Sequence, residues 1–381
     1  MTHVCILTSV HQPFDGRIFH REGRTLAQAG YEVTLVAPAD FERKERDGIT
    51  VIGVTPPSSR LHRVRVWRDI FRQVCLLQPD VIHFHDPELL VLIPLLRLSL
   101  GGGVRIIYDV HEYFIASLTC KYWIPPWLRP AVARLAEVLE NLLIREVDGI
   151  LCAVEGQVPL YQDFDGPIMV VRNLPDTHLF EEPVAHSPLD VSGFKLIYVG
   201  LILPERGIDV LLHAMRALHV QGRTDIYLFL IGPETSSAYM ESVHAFVDRH
   251  QLGAHVRWVG YVPHPDIKNY LAQSDVGLVP GLYTPQYSNP GLTTKLFEYL
   301  LCGLAVLSVD YPHRRVYIEE SNCGLTVPAE DVQAHADAIL WLRDHPAERE
   351  AMGQRGREMV LDRYTWQREQ ERLLDFYAQV V

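Results

Sequence analysis

Val81-Ile82-His83-Phe84-His85-Asp86-Pro87-Glu88 reads as a strand that gives way directly to a helix. The β-branched and aromatic run Val81–Phe84 suits a pleated strand. Asp86 is a favoured cap, and Pro87 fits the first helical position, where a missing N–H costs nothing. The same alternation extends in both directions. Candidate strands are Val4–Val10, Val33–Val36, Val81–Phe84, Ile106–Tyr108, Ile150–Ala153 and Met169–Val171. A second series follows at Leu196–Val199, Tyr227–Ile231, Val256–Val259, Val276–Val279 and Val306–Ser308. Strands separated by helix-length segments predict βαβ units and mainly parallel sheets. The polar, proline-containing stretch Asn173 to Gly193 divides the series. The expected fold is therefore α/β, with two Rossmann-like doubly wound domains at residues 1–172 and 194–364 and a linker at 173–193.

A chain of 381 residues exceeds one typical domain, and 48% apolar with 22% charged residues describes an ordinary globular protein. The first strand begins almost at Met1 with no basic start, so no secretory signal is expected. The longest apolar run, Leu89 to Leu100, is broken by Pro94 and Arg97 and is too short to span a bilayer. Six cysteines without a CxxC pair point to reduced thiols, a cytoplasmic location and no structural zinc. The net charge of −12 is concentrated in residues 176–381, which hold 17 Lys/Arg against 27 Asp/Glu, and it disfavours general nucleic-acid binding. One segment departs from this pattern. Arg60, Arg63, Arg65, Arg68 and Arg72 surround Leu61, Val64, Trp67 and Phe71, opposed by Asp69 alone. As a helix it would suit an anionic lipid surface or a phosphorylated acceptor; a solvated helix with a buried stripe is the alternative. The aromatic and basic loop Lys121–Arg129 could likewise contact a membrane surface or a lipid acceptor, or simply pack onto the first domain.

Parallel sheets bind ligands beyond the carboxyl ends of their strands. Those positions carry His11-Gln12-Pro13-Phe14-Asp15-Gly16-Arg17, His85-Asp86-Pro87-Glu88 and Asp109-Val110-His111-Glu112 in the first half. In the second half they carry Gly200, Glu205-Arg206-Gly207 and Gly232-Pro233-Glu234. Function is expected where the two sheets turn these edges toward a common cleft. Ser288-Asn289-Pro290-Gly291-Leu292-Thr293-Thr294-Lys295-Leu296-Phe297-Glu298-Tyr299 adds a helix capped at Asn289, with Pro290 first and Gly303 as its C′ stop. Its tip would present the amides of Gly291 and Leu292 to an anion. Lys295 and Glu298, three apart, share one face. Amides, a cation and a carboxylate on one helix would meet a nucleotide diphosphate and its ribose diol. An amphipathic helix with an i,i+3 ion pair is the plainer alternative.

Taken in order, several motifs resemble one bacterial branch of the retaining GT-B glycosyltransferases of family 4, the group 1 type. They are Leu7-Thr8-Ser9-Val10-His11-Gln12-Pro13-Phe14-Asp15-Gly16-Arg17-Ile18-Phe19, Phe84-His85-Asp86-Pro87-Glu88, Tyr108-Asp109-Val110-His111-Glu112, Lys295-Leu296-Phe297-Glu298-Tyr299 and Tyr364-Thr365-Trp366. The resemblance covers essentially the whole chain. It implies two domains facing a central cleft, with residues 365–381 crossing back onto the first. It also implies transfer of a hexose-type sugar from a nucleotide-sugar donor to a lipid-linked or polysaccharide acceptor, with retention and without a metal or other cofactor. Glu298 would hold the ribose hydroxyls, Arg206 and the Gly16 amide the diphosphate, and Lys295 a phosphate, while His111 would stand beside the transferred sugar as the catalytic residue. Arg17, Arg60, Arg63, Arg65 and Trp67 are the candidates for acceptor or membrane contact at the inner face of the membrane.

Two positions depart from the family pattern. Pro290 stands where a glutamate often grips the sugar, and Leu201 stands where many members carry a second phosphate-binding arginine. A sugar-nucleotide epimerase of the same architecture and a non-catalytic nucleotide-sugar-binding homologue stay open as alternatives. Asp163-Phe164-Asp165 resembles the metal motif of the other glycosyltransferase fold but precedes Gly166-Pro167 and reads as a turn. His83 and His85, at alternate positions of a strand end, are read as facing opposite ways, a poor shared metal site, with His85 lining the cleft.

Overall fold

A computed structural model describes residues 1–57, 59, 62–119, 121, 124–181, 189–233, 237–283 and 291–381. The chain divides into two compact units, Met1–Asn173 with Trp366–Val381, and Leu174–Thr365.

The first unit contains β1 (His3–Leu7), β2 (Glu32–Pro38), β3 (Arg43–Arg46), β4 (Ile49–Val54), β5 (Val81–Phe84), β6 (Arg105–Val110), β7 (Gly149–Cys152) and β8 (Ile168–Val170). They form one sheet in the order β3-β4-β2-β1-β5-β6-β7-β8. All neighbours are parallel except β3 and β4, an antiparallel hairpin absent from the sequence reading. Its signal was Asp47-Gly48, the dipeptide that tolerates two successive positive φ angles, here 53° and 76°. The helix Arg63–Leu77 buries Val66, Ile70 and Val74 and leaves Arg65, Arg68 and Arg72 in solvent. Arg60 and Leu61 lie outside the described residues. The helix Trp366–Val380 belongs to this unit, placing Trp366, Leu373, Phe376 and Tyr377 in one core with Val4, Ile6, Ile18 and Phe19. A Cβ on Gly149 would stand 2.6 Å from the Phe376 ring, so that glycine is what lets the helix close on the sheet.

The second unit contains β9 (Phe194–Val199), β10 (Ile226–Ile231), β11 (Val256–Gly260), β12 (Val276–Val279), β13 (Ala305–Val309) and β14 (Gly324–Val327). Their order is β11-β10-β9-β12-β13-β14, parallel throughout. β14 was not foreseen, because Gly324-Leu325-Thr326-Val327 is short and opens on glycine. Leu174 and Leu189, in the stretch read as a linker, are buried in this unit's core beside Ile197. Among the described residues, no helix is long and apolar enough to cross a membrane.

Candidate functional site

Each unit has a point where strand order reverses, between β9 and β12 in the second unit and between β1 and β5 in the first. A crevice beyond the carboxyl ends of the strands opens at such points.

In the second unit Gly200 follows β9 with φ 145°, and its amide donates to the Ile231 carbonyl at 2.8 Å. Gly232 takes the equivalent place after β10 with φ 152°, and a Cβ there would collide with the Gly200 carbonyl. A Cβ on Gly200 would stand 2.6 Å from Lys295 Nζ. Two backbone turns thus touch and leave room for one ammonium group, which lies 4.1 Å from the centroid of the Tyr198 ring. The single turn Pro204–Arg206 ends on Gly207, whose φ of 72° excludes an easy substitute. It is braced where the Leu282 amide donates to the Glu205 carbonyl at 3.0 Å. Burial holds the Lys295 amine well below the usual lysine range, and the nearby Arg206 and Arg314 guanidinium groups push it the same way, with Glu298 opposing. Lys295 therefore lies within electrostatic reach of two arginines. Leu201, exposed beside them, uses its carbonyl to accept from the Tyr198 hydroxyl at 2.8 Å.

The helix bearing Lys295 starts later than the sequence suggested. It runs Thr294–Leu301 with Thr293 as N-cap, and Gly303 follows as the C′ residue with φ 77°. Ser288, Asn289 and Pro290 lie outside the described residues. Gly291 and Leu292 precede the helix, so its first amides belong to Thr294 and Lys295 instead. Glu298 is 5% exposed, and its Oε1 lies 2.8 Å from His264 Nε2. His264 opens the helix His264–Leu271 after Pro263 and was missed, because nothing within 34 residues of chain links it to Glu298.

In the first unit Asp86 caps no helix with its side chain. Its Oδ2 accepts from the Thr8 hydroxyl at 2.8 Å and the Ser9 amide at 2.6 Å, joining the ends of β1 and β5. Glu88 accepts from Ser9 Oγ at 2.7 Å, Arg63 Nη1 at 2.8 Å and Trp67 Nε1 at 3.1 Å. Arg63 and Trp67 are thereby turned onto the sheet edge, while Arg65 points to solvent. Ser9 and Arg63 also line a pocket of about 530 Å³, together with His11, Phe14, Asp40 and Lys44. Burial pulls the His11 imidazole down, but Asp15 and Asp86 together hold it above its usual value.

Arg17 is not a surface residue for an acceptor or a membrane. It is 3% exposed and grips the Asp109 carboxylate through Nε at 3.3 Å and Nη2 at 2.9 Å. Its Nε also lies 2.7 Å from Glu22 Oε1. Residues 18–23 are wound as a π-helical turn, in which the Glu22 amide donates to the Arg17 carbonyl and residues five apart come together. β6 extends through Val110, which buries Asp109 completely. His83 and His85 do not face opposite ways. Residues two apart on a strand share a face, and these rings stack with centroids 4.7 Å apart. Glu22, His83, His85 and Asp109 therefore bring ligand-type atoms within 4.8 Å of one another. The Arg17 guanidinium already supplies the cation there, so the set reads as a charge cluster. His111, partly buried, places Nε2 2.6 Å from His85 Nδ1. Gly16 begins this segment, and a Cβ on it would only touch Arg21 Nη1 at 3.4 Å.

The model of the family described as Glycosyl transferases group 1 matches residues 181–359, and that of the Glycosyl transferase 4-like domain matches residues 16–173. Glycogen synthase of Mycobacterium tuberculosis (strain ATCC 25618 / H37Rv) is 22% identical over 294 residues, 76% of this chain and 66% of that protein. The chain thus spans just under two thirds of that relative's length. Sucrose-phosphate synthase from Thermosynechococcus elongatus superposes with a TM-score of 0.79 at 19% identity, covering 100% of this chain and 99% of the other. Anabaena Alr3699/HepE, solved in complex with UDP and glucose, gives 0.77 at 14% identity, covering 99% and 100%. Likeness at this level establishes a GT-B fold of two parallel-sheet α/β domains.

Proposed function

Because this chain belongs to the group 1 glycosyltransferases of GT-B fold, we propose that it moves a hexose-type sugar from a nucleotide-sugar donor to a hydroxyl of a lipid-linked or polysaccharide acceptor, with retention. The observation that carries this reading is the end of β9, where the Lys295 ammonium lies against the Gly200 turn and is repelled by the charges of Arg206 and Arg314. Cations that repel one another in a buried place are stabilised by an anion. A diphosphate fits that need, and its charge grows as the glycosidic phosphate bond breaks. Preorganised cations and the amides of Thr294 and Lys295 would stabilise that growing charge without a metal. Glu298, oriented by His264, would accept from the ribose diol. The HepE complex with UDP and glucose supports a uridine nucleotide as the first donor to try.

On the first unit, His111 is proposed to face the transferred sugar and the Gly16 amide to approach the diphosphate. The pocket walled by His11, Asp40 and Arg63 would take the acceptor. A cytoplasmic location with contact at the inner membrane face belongs to the same proposal, resting on the exposed Arg65, Arg68 and Arg72.

A thermal-shift panel of UDP-, GDP- and dTDP-sugars tests the donor, because binding to the native state raises apparent stability. The expected result is a rise with one nucleotide class that is lost in Arg206→Ala and Glu298→Ala. Sugar transfer to a glycan or lipid-linked acceptor with EDTA present is the activity expected. Full binding and turnover in both variants would overturn the site. Release of an altered sugar nucleotide without acceptor would instead favour an epimerase, and saturable binding without turnover a binding protein.

A further inference from the structure

The helix Arg129–Leu143 turns its apolar side to solvent. Toward the sheet it buries Ala133 and a glutamate, Glu140, whose Oε1 accepts from the Tyr108 hydroxyl at 3.1 Å and the Tyr161 hydroxyl at 2.9 Å. Val132, Ala136 and Leu143, half-buried, complete its contact with the core. Toward solvent stand Leu135, Val138, Leu139 and Leu142, which are 44% to 61% exposed. Their spacing of i, i+3, i+4 and i+7 puts them on one stripe.

The surroundings extend that stripe. Pro125-Pro126-Trp127 leads into the helix, and Trp127 is 78% exposed although Ile124 is buried with Leu118 and Ala133. Tyr122 and Trp123, of the same loop, lie outside the described residues. The turn Pro87–Leu92 packs against the helix Arg129–Leu143 and runs on into the helix Ile93–Leu100. That segment exposes Val91, Leu95 and Leu98, again at i, i+4 and i+7. Single surface leucines need no explanation, but apolar stripes on packed neighbouring elements mark an interaction surface.

Charge decides what covers it. Arg134 borders the stripe, and Arg145 stands exposed just past its end. The helix Arg63–Leu77 packs against Ile93–Leu100 on the same side of the sheet and adds the exposed Arg65, Arg68 and Arg72. These arginines stand against Asp69, Glu137 and Glu146, in a chain whose net charge is −12. Asp69 and Glu137 already bind Arg68 and Arg134 in solvent-exposed pairs, which contribute little to stability. A second copy of the chain would bring the same arginines against one another across a self-complementary contact. An anionic bilayer meets both parts of the face. Its acyl boundary takes the leucines, the headgroup level suits Trp127, and the lipid phosphates face the arginines.

We propose that the stripe from Leu135 to Leu142, with Trp127, Leu95 and Leu98, lies in the headgroup–acyl boundary of an anionic bilayer. The inference rests on the membrane contact proposed above and changes its anchor. The leucine stripe inserts, and Arg65, Arg68 and Arg72 add attraction from outside.

Flotation of the full chain with vesicles of phosphatidylglycerol and phosphatidylcholine tests this. The wild type should float, less so on phosphatidylcholine alone, and part of it should stay bound at about 0.5 M NaCl, where exposed charges are screened. The double variant Leu135→Ser, Leu139→Ser alters exposed positions, so its melting temperature should not change. Its partition coefficient should fall by at least about tenfold, and its salt-resistant binding should vanish. Replacing Arg65, Arg68 and Arg72 by serine should weaken binding at low salt and spare the salt-resistant part. Tryptophan fluorescence gives a second reading, because acyl chains carrying bromine should quench the wild type more than Trp127→Phe. Equal flotation of the wild type and the leucine variant overturns the insertion, as does equal quenching in Trp127→Phe. If only the arginine variant loses binding, the membrane contact stands and the leucine anchor falls; a wild type that binds no vesicle overturns both. A dimer in sedimentation equilibrium that the leucine variant dissolves assigns the face to a second copy and overturns the proposal. No sugar enters these measurements, so the donor reading is tested apart from them.

Discussion

The Val199 amide donates to the Tyr299 hydroxyl at 2.8 Å, tying the end of β9 to the helix that carries Lys295 and Glu298. Tyr299 is fully buried, and its ring fills the space left by Gly277 on β12, where a Cβ would collide with it. One side chain therefore sets the distance between the glycine turn and the helix tip. Tyr299→Phe keeps the packing and strands the amide, at a cost of about 1–3 kcal/mol. Urea unfolding should register that loss, and donor affinity measured by calorimetry should fall with it. Unchanged affinity would mean that the helix holds its place without this bond.

Gly200 and Gly232 should differ in their sensitivity to alanine. At Gly200 the new Cβ meets the end of a flexible lysine at 2.6 Å; at Gly232 it meets backbone carbonyl. Both positions also have positive φ, a strain of order 1–3 kcal/mol for alanine. Gly232→Ala is expected to unfold at lower temperature than Gly200→Ala. Gly200→Ala should fold and bind the donor poorly, because Lys295 is displaced. Equal melting temperatures would contradict the close approach of the two turns.

Lys295 gives donor binding a pH dependence. In the free protein its proton is lost at lower pH than for an ordinary lysine, through burial and its arginine neighbours. A bound phosphate favours the charged form, so binding takes up a proton above that lowered value, and affinity falls as pH rises. Calorimetry in buffers of different ionisation enthalpy reads the uptake directly. Lys295→Met should bind more weakly and lose the uptake.

Arg17 should behave as a structural cation. Arg17→Met leaves Asp109 and Glu22 buried without their partner, and breaking such an arrangement costs about 3–5 kcal/mol. The expected outcome is a large drop in the urea midpoint. Co-sedimentation with anionic vesicles should not change, whereas replacing the exposed Arg65, Arg68 and Arg72 by serine should reduce it if that helix meets the membrane.

Glu22 makes stability fall as pH rises. Its folded pKa is raised above the unfolded value, so between the two the native chain holds a proton that the unfolded chain has released. The slope is negative across that window and reaches at most about 1.4 kcal/mol per pH unit for one group. Glu22→Gln should flatten the dependence of the unfolding midpoint on pH above the ordinary glutamate range and raise stability at the upper end of that window. A variant as steep as the wild type would place the proton elsewhere.

Much of the fold was legible because each strand-to-helix junction announces itself locally. Val81–Phe84 and Val276–Val279 match their strands residue for residue. The β3–β4 hairpin was missed because every residue of Arg43-Lys44-Glu45-Arg46 is exposed and the run lacks the alternation that marks a half-buried strand. Within the candidate site, the spacing of Lys295 and Glu298 on one helix face was readable. The partners were not: His264 stands 34 residues from Glu298, and Asp109 stands 92 from Arg17.

By itself the sequence determined two parallel α/β domains and the strand ends that bear glycines, histidines and carboxylates, because those features depend on neighbours a few residues away. The tertiary structure decided what each polar group is for. Strand order brought β1, β5 and β6 together, so Arg17 became the buried cation of a carboxylate and histidine cluster rather than a surface contact. It also brought the charges of Arg206 and Arg314 to bear on the buried Lys295. The reason is physical. The charge state and reach of a buried group follow from its desolvation and its partners, and both are set by residues that only the folded chain makes adjacent.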